Sequence, residues 1–331
     1  MAICWDALAD IVTRHPSFVL TSHIRPDCDA LGSELALAEG LESLGKKVLI
    51  VNGQATPPNL AFLDRDRRIR AIGADVQPSE LAEYEVLIVL DTSAWAQLGP
   101  MAEVVRNWHG RKLVIDHHAS SDDLGAERFH DTSSEATGRL ILEASQTLGI
   151  KLTPSIASSL YAALATDTGW FRFSSVSGTT YRHAATLVEA GAVPAGIYNE
   201  LYEQDNMGRV RLRGVILSRI ASERDGQLAY TFVHKEDFAK VGALPSDTED
   251  VINTVLTIAG TRFAVIFVEQ TGGDFFKISF RSRCELDCSR IAERFGGGGH
   301  RAAAGASVSG TFEEVKNRVL GVVRDAMDLL Q

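Results

Sequence analysis

Short apolar runs alternate with longer amphipathic stretches through the first half of the chain. Residues 18–22, 47–51, 85–90 and 112–115 are short and mostly apolar, which predicts strands, and the continuous runs at 85–90 and 112–115 are those expected of strands covered on both faces. Residues 30–44 carry apolar side chains at helical spacing and stop at Gly45; helical spacing returns at 134–148, 154–165, 179–190 and 195–204. Strands alternating with helices predict a largely parallel sheet with helices on its faces.

The texture changes at 205–215, a stretch with a basic run that reads as a connector. Strand-like runs in 216–233 are interrupted by Arg224-Asp225-Gly226, a hairpin signal, and runs at 261–268 and 275–281 flank a second one, Thr271-Gly272-Gly273-Asp274. A short helix at 289–295, a glycine run at 296–299, a strand of small residues from Ala302 and a closing helix at 312–330 follow. The expected architecture is α/β: a parallel-sheet N-terminal domain over 1–204, a 205–215 linker, and a smaller α+β domain over 216–331. A chain of 331 residues suits two domains, each long enough for its own core.

Composition narrows the classes. The 45% apolar and 23% charged residues are ordinary for globular chains. The longest apolar runs, such as 86–90 and 263–268, are too short to cross a bilayer, and no basic segment precedes an apolar core at the N-terminus. No membrane association and no secretory signal are therefore expected. Four cysteines, at 4, 28, 284 and 288, form no C-x-x-C pair, which fits a reducing cytoplasm. A formal net charge of −10 argues against duplex nucleic acid as a partner, but not against a small anionic substrate held through metal ions.

The chemistry-bearing residues fall at strand ends. His23, Asp27 and Asp29 follow the first strand, Asp91 follows the run at 86–90, and Asp116, His117 and His118 follow the run at 112–115. In a parallel α/β sheet the carboxyl ends of strands open on a common crevice, so these groups can converge. One imidazole and two carboxylates lie within seven residues; carboxylates so close repel each other unless a cation lies among them, and mixed oxygen and imidazole donors suit Mn²⁺, with Mg²⁺, Fe²⁺, Co²⁺ or Zn²⁺ as alternatives. Each piece also has a structural reading: Asp29 could cap the helix beginning near Ala30, Asp91 could cap another, and Asp167 could simply end one.

The conjunction is more specific. H-x₃-D-x-D, a strand-end Asp, D-H-H and D-T-G occur in that order, followed by Gly296-Gly297-Gly298-Gly299-His300-Arg301 and preceded there by Ser279-Phe280-Arg281-Ser282. This set resembles the DHH phosphoesterase superfamily with its DHH-associated C-terminal domain, and the length is similar to the stand-alone nanoRNase/pAp phosphatase branch. The resemblance spans nearly the whole chain. Position 28 departs from it, with Cys where the family often has Gly; a packing role is expected, although a thiol beside a metal site could confer oxidation sensitivity.

The resemblance implies two divalent ions. His23, Asp27 and Asp91 would hold one, and Asp29, Asp91, His117 and Asp167 the other. His118 would contact the phosphoryl oxygens, and Asp116 would orient the imidazoles. Arg281 and Ser282, with Gly297, Gly298, Gly299 and His300, would grip the substrate, since a glycine run lets backbone approach an anion closely and a guanidinium suits phosphate. Arg262 and Arg301 are weaker candidates. An active site in the cleft between the domains would favour mononucleotides and very short oligomers. The implied function is metal-dependent hydrolysis of short single-stranded RNA, of 3′-phosphoadenosine 5′-phosphate (pAp), or of both. The rivals are a cyclic-dinucleotide or linear pApA phosphodiesterase and a non-catalytic nucleotide sensor; the complete ligand set speaks against the sensor. The resemblance admits a homodimer.

Overall fold

The computed structural model describes residues 3–119, 121–270 and 275–329. The chain divides into two compact units, Met1–Gln204 and Asp205–Gln331. Among the described residues no helix is long and apolar enough to cross a membrane.

The first unit contains α1 (Trp5–Arg14), β1 (Ser17–Thr21), α2 (Cys28–Ser43), β2 (Lys47–Asn52), β3 (Ile69–Ala71), β4 (Val86–Leu90), α3 (Met101–Arg106), β5 (Arg111–Asp116), β6 (Glu127–His130), α4 (Thr137–Thr147), α5 (Pro154–Asp167), α6 (Gly178–Glu189) and α7 (Pro194–Tyr202). Its six strands are parallel, in the order β3-β2-β1-β4-β5-β6. The continuous apolar runs have a direct cause. Phe18, Leu20, Ile88, Leu90, Leu113 and Ile115 face a core shared with α1, α2, α4 and α5. Their neighbours Val19, Leu87, Val89 and Val114 face a second core with Leu98, Met101 and Val105. Strand order reverses between β1 and β4, the kind of switch point at which ligand crevices open.

Close helix packing shapes the end of the sheet that matters. Helix α2 is buried along most of its length and ends at Gly45, whose φ of +76° suits glycine. A Cβ on Gly32 of α2 would lie 2.4 Å from the Ser159 carbonyl of α5, and one on Gly138 of α4 would lie 2.6 Å from the Ala163 side chain of α5. These two glycines let α2, α4 and α5 pack at backbone contact, and the first turns of α2 and α4 thereby meet.

The second unit contains α8 (Met207–Ser218), β7 (Ala221–Glu223), β8 (Leu228–Val233), α9 (Lys235–Val241), α10 (Val251–Val255), β9 (Phe263–Glu269), β10 (Phe275–Ser282), α11 (Cys288–Glu293), β11 (Gly298–Gly299), β12 (Ala303–Ser309) and α12 (Phe312–Asp328). Its mixed sheet runs β11-β12-β10-β9-β8-β7, with β8 and β9 parallel and the other pairs antiparallel. Phe263, Phe267, Phe276 and Phe280 pack against α11 and α12 on one face, while Ala264, Ile266 and Val268 meet α8, α9 and α10 on the other. The expected connector at 205–215 instead lies largely within α8, capped by Asn206 and anchored by buried Leu212 and Ile216. The turn expected at 271–274 lies outside the described residues; β9 and β10 on either side of it pair antiparallel.

Candidate metal centre

The carboxyl ends of β1, β4 and β5 bring His23, Asp91, Asp116, His117 and His118 to one place, and α2 and α5 add Asp27, Asp29 and Asp167. The donor atoms form three overlapping groups: His23, Asp27 and Asp91; Asp29, His117 and Asp167; and Asp91, His117 and His118. Within each group the donors lie within 4.8 Å of one another. All eight residues expected there from the sequence belong to this constellation, Asp116 through its bond to His118.

Each side chain is held by a specific device. Asp27 is the N-cap of α2, accepting from the amides of Asp29 and Ala30 at 2.9 and 3.1 Å. The capping role expected for Asp29 thus falls to Asp27, because the helix begins two residues earlier than the apolar pattern suggests. Asp29 instead accepts the Thr137 and Gly138 amides of α4 at 2.7 and 2.8 Å, one on each carboxylate oxygen. Asp91 sits directly after β4 at φ +60°, a left-handed conformation that aims its carboxylate into the crevice. It accepts from Thr137 Oγ1 at 2.9 Å.

The imidazoles are oriented from behind. His117 Nδ1 donates to the Ser134 carbonyl at 3.1 Å, which leaves Nε2 as the free lone pair. That Nε2 is buried and, among the described residues, has no hydrogen-bond partner; it lies 3.5 Å from Asp167, 3.6 Å from Asp91 and 3.7 Å from Asp29. His23 repeats the pattern, with Nδ1 3.0 Å from the Ile24 carbonyl and Nε2 3.3 Å from Asp91. His118 Nδ1 lies 2.9 Å from Asp116, whose other oxygen accepts from the Ser93 hydroxyl.

The electrostatics are those of a site short of positive charge. Burial, then the neighbouring carboxylates, push Asp29 and Asp91 well above the usual carboxylate range. Burial also raises Asp167, against the pull of His117. Burial would raise Asp116 too, but hydrogen bonds from His118 and Ser93 outweigh it and its carboxyl falls below the ordinary value. The Asp116 bond raises His118 to about 9. A buried, unpaired imidazole lone pair facing three carboxylates is unfavourable unless a cation sits among them, so the donor set fits a divalent ion.

Cys28 is 3% exposed within the apolar core, and burial lifts its thiol to about 12. Its burial in that core fits the packing role expected for it. Ser93, Ser134 and Thr137 support the centre and were missed from the sequence, because a hydroxyl or a backbone carbonyl carries no pattern of its own.

In the second unit, Arg281 and Ser282 end β10 beside β12, and Gly298 and Gly299 pair with β12 on its other side. His300 makes a tight turn with Ala303 through two backbone bonds. Arg281 lines a cavity of about 280 Å³ with Lys277, Ser279, Thr248 and Asp250. The Ser282 hydroxyl is engaged with the backbone of Cys284 in its own turn. Gly297 and Gly299 are needed by the fold, since a Cβ would lie 2.1 Å from the Gly305 carbonyl and 2.5 Å from Ala304 Cα respectively; at Gly298 a Cβ would meet nothing. Arg301 is exposed, its guanidinium 3.5 Å from the Glu285 carbonyl, and Arg262 bonds Gln227 through its backbone amide alone.

Residues 17–164, which carry this parallel sheet and its aspartates and histidines up to His118, match the DHH family, N-terminal domain, residues 225–328 match the DHHA1 domain, and the chain belongs to the DHH family. Among individual proteins, it is 31% identical to the bifunctional oligoribonuclease and PAP phosphatase NrnA of Bacillus subtilis, over 90% of this chain and 91% of that protein. The protein of the same name from Thermus thermophilus is 30% identical over 94% and 90%. The crystal structure of an exopolyphosphatase-related protein from Bacteroides fragilis superposes with a TM-score of 0.83 at 28% identity, covering 98% of this chain and 95% of that one.

Proposed function

We propose that this protein is a metal-dependent phosphoesterase that hydrolyses very short oligoribonucleotides and pAp, the activities named for its NrnA relatives. The observation that carries the reading is the orphaned His117 Nε2 among three carboxylates. His23, Asp27 and Asp91 would hold one divalent ion and Asp29, Asp91, His117 and Asp167 a second, with manganese the best match to the donors. When bound, such ions supply Lewis acidity at phosphorus and acidify water. The chain's own groups do the rest. Ser134 and Ile24 fix the imidazole tautomers, so that the Nε2 lone pairs face the crevice. His118, oriented by Asp116, presents its remaining nitrogen as a donor to a phosphoryl oxygen that gains charge as the ester breaks. Arg281, His300 and the backbone at Gly298 grip an anionic end of the substrate. The protein acts in the cytoplasm on single-stranded substrates and not on duplexes.

The test is hydrolysis of pAp and of 5′-phosphorylated di-, tri- and longer oligoribonucleotides with Mn²⁺ and with EDTA. Mononucleotide release from the shortest substrates, abolished by EDTA and by Asp91→Asn, is expected. Tight nucleotide binding without turnover of any substrate in Mn²⁺ would overturn the enzymatic reading in favour of a sensor.

A further inference from the structure

The segment that ends α5, Asp167-Thr168-Gly169-Trp170-Phe171-Arg172-Phe173, is used by the metal centre only through its first residue. Its remainder is built in an unusual way. Gly169, Trp170 and Phe171 are three successive left-handed residues, at φ +57°, +58° and +63°. Two of them are bulky side chains, for which this conformation costs roughly 1–2 kcal/mol each. The result is a loop thrown back on the end of α5: the amides of Arg172 and Phe173 both donate to the Thr168 carbonyl, at 3.0 and 3.1 Å, and Arg172 Nε donates to the Gly169 carbonyl at 2.7 Å. The ring of Phe173 lies on Gly169 so closely that a Cβ there would stand 2.4 Å from it.

The other aromatic residues of the loop are taken. Trp170 packs edge-on against Tyr198 and Tyr202, and Phe171 stacks on Tyr181 at 5.6 Å. Among the described residues Phe173 makes no aromatic contact, and it is 53% exposed. One exposed phenylalanine is ordinary on a protein surface. This one is fixed in place by strain and hydrogen bonds, and it sits beside the centre. Asp167 Oδ2 is 3.5 Å from His117 Nε2, and the Cα of Gly169, against which the Phe173 ring lies, is at most about 7.6 Å along the chain from that of Asp167.

We propose that Phe173 is a stacking platform for a nucleobase of the substrate, the base of the nucleotide whose phosphate lies at the metal centre. The proposal rests on the phosphoesterase reading and adds how that site recognises a nucleotide. A phenyl face accepts any base, because every base has a π face, and it asks for no hydrogen-bond pattern. Recognition at this position is therefore base-dependent and tolerant of base identity, as an enzyme clearing mixed short oligomers requires.

The experiment compares the wild type with Phe173→Ala, Phe173→Leu and Phe173→Trp on a 5′-phosphorylated dinucleotide and on its abasic analogue, with Mn²⁺. The wild type is expected to prefer the base-bearing substrate. That preference, as a ratio of kcat/KM values, should fall about tenfold in Phe173→Ala, through KM, and fall similarly in Phe173→Leu; Phe173→Trp should keep it. An unchanged ratio in Phe173→Ala, or an equal loss on both substrates, overturns the proposal. Calorimetric binding of AMP to the same four proteins separates the two readings. If the wild type hydrolyses nothing, weaker AMP binding by the Ala and Leu forms than by the Trp form still supports the platform, and equal or absent binding sinks it.

Discussion

Replacing Asp91 by asparagine should make the metal-free protein more stable while abolishing turnover. Asp91 is 2% exposed, and its carboxylate lies within 4.8 Å of that of Asp27. Burial is the larger penalty on the ionised form; at an effective dielectric constant near 20, two unit charges at that separation add a repulsion of about 3 kcal/mol, which the charged His118, 3.8 Å from Asp91, offsets in part. Asparagine has nearly the same shape, keeps an oxygen to accept from Thr137 Oγ1, and tolerates the left-handed backbone of position 91, where alanine would add strain. The net gain expected in EDTA at neutral pH is about 2–3 kcal/mol, or about 5–10 °C in the melting of a unit of this size. The pH dependence has a defined sign. Asp91 is raised above its unfolded value, so its protonated form is the one the fold accommodates. Wild-type stability from this group is intact below about pH 4 and declines as pH rises through the folded pKa, so the advantage of the variant is small in acid and largest in mild base. Calorimetry in EDTA across that range is the assay. Added Mn²⁺ should reverse the order, raising the wild type above the variant. A metal-free variant that melts at or below the wild type at pH 8 would refute the reasoning.

Two further outcomes follow from residues outside the set of candidate ligands. Glu34 is fully buried on α2, bonded to Asn52 at 2.9 Å, and burial raises it to about 7. Stability lost by the wild type between about pH 4.5 and 7, up to about 3 kcal/mol, should be absent in Glu34→Gln, as measured by urea unfolding in EDTA at both ends of that window; equal pH profiles would refute this. In the glycine run, Gly299→Ala should destabilise the second unit by more than about 1 kcal/mol, because its Cβ meets Ala304 at φ +146°. Gly298→Ala, whose added Cβ would meet nothing within 4 Å among the described residues, should leave melting unchanged and raise KM for pAp; the opposite pattern would place the glycine requirement in the fold alone.

The sequence displayed the strands of the first unit because burial on both faces leaves runs such as Val86-Leu87-Ile88-Val89-Leu90 with no polar interruption. It hid β3, α3 and β6, which are too short to establish a period. It hid α8 for another reason: Arg209, Arg211 and Arg213 alternate with the apolar residues and obscure the buried pair Leu212 and Ile216, so a helix reads as a basic connector. The aspartates and histidines were legible because unpaired acids at strand ends lack a structural explanation when they recur three times. Their supports were not. The Ser134 carbonyl that sets the His117 tautomer is a backbone group, and no residue type announces it. With Asp27 and Asp29 the difficulty was one of position: two carboxylates flank the helix start, and only the geometry separates the cap from the brace across to α4.

That brace bears on how an inert form of the protein for trapping bound substrate is best made. Asp29 joins α2 to the first turn of α4 through both its oxygens. Truncating it would strip two amides of their partners and loosen the contact that Gly32 and Gly138 permit, so a crystallographer would capture a distorted crevice along with the ligand. The His117 side chain is hydrogen-bonded to the Ser134 carbonyl and packs edge-on against His118, and among the described residues its working nitrogen has no hydrogen-bond partner. Silencing the chemistry at His117 removes a ligand and leaves the walls standing.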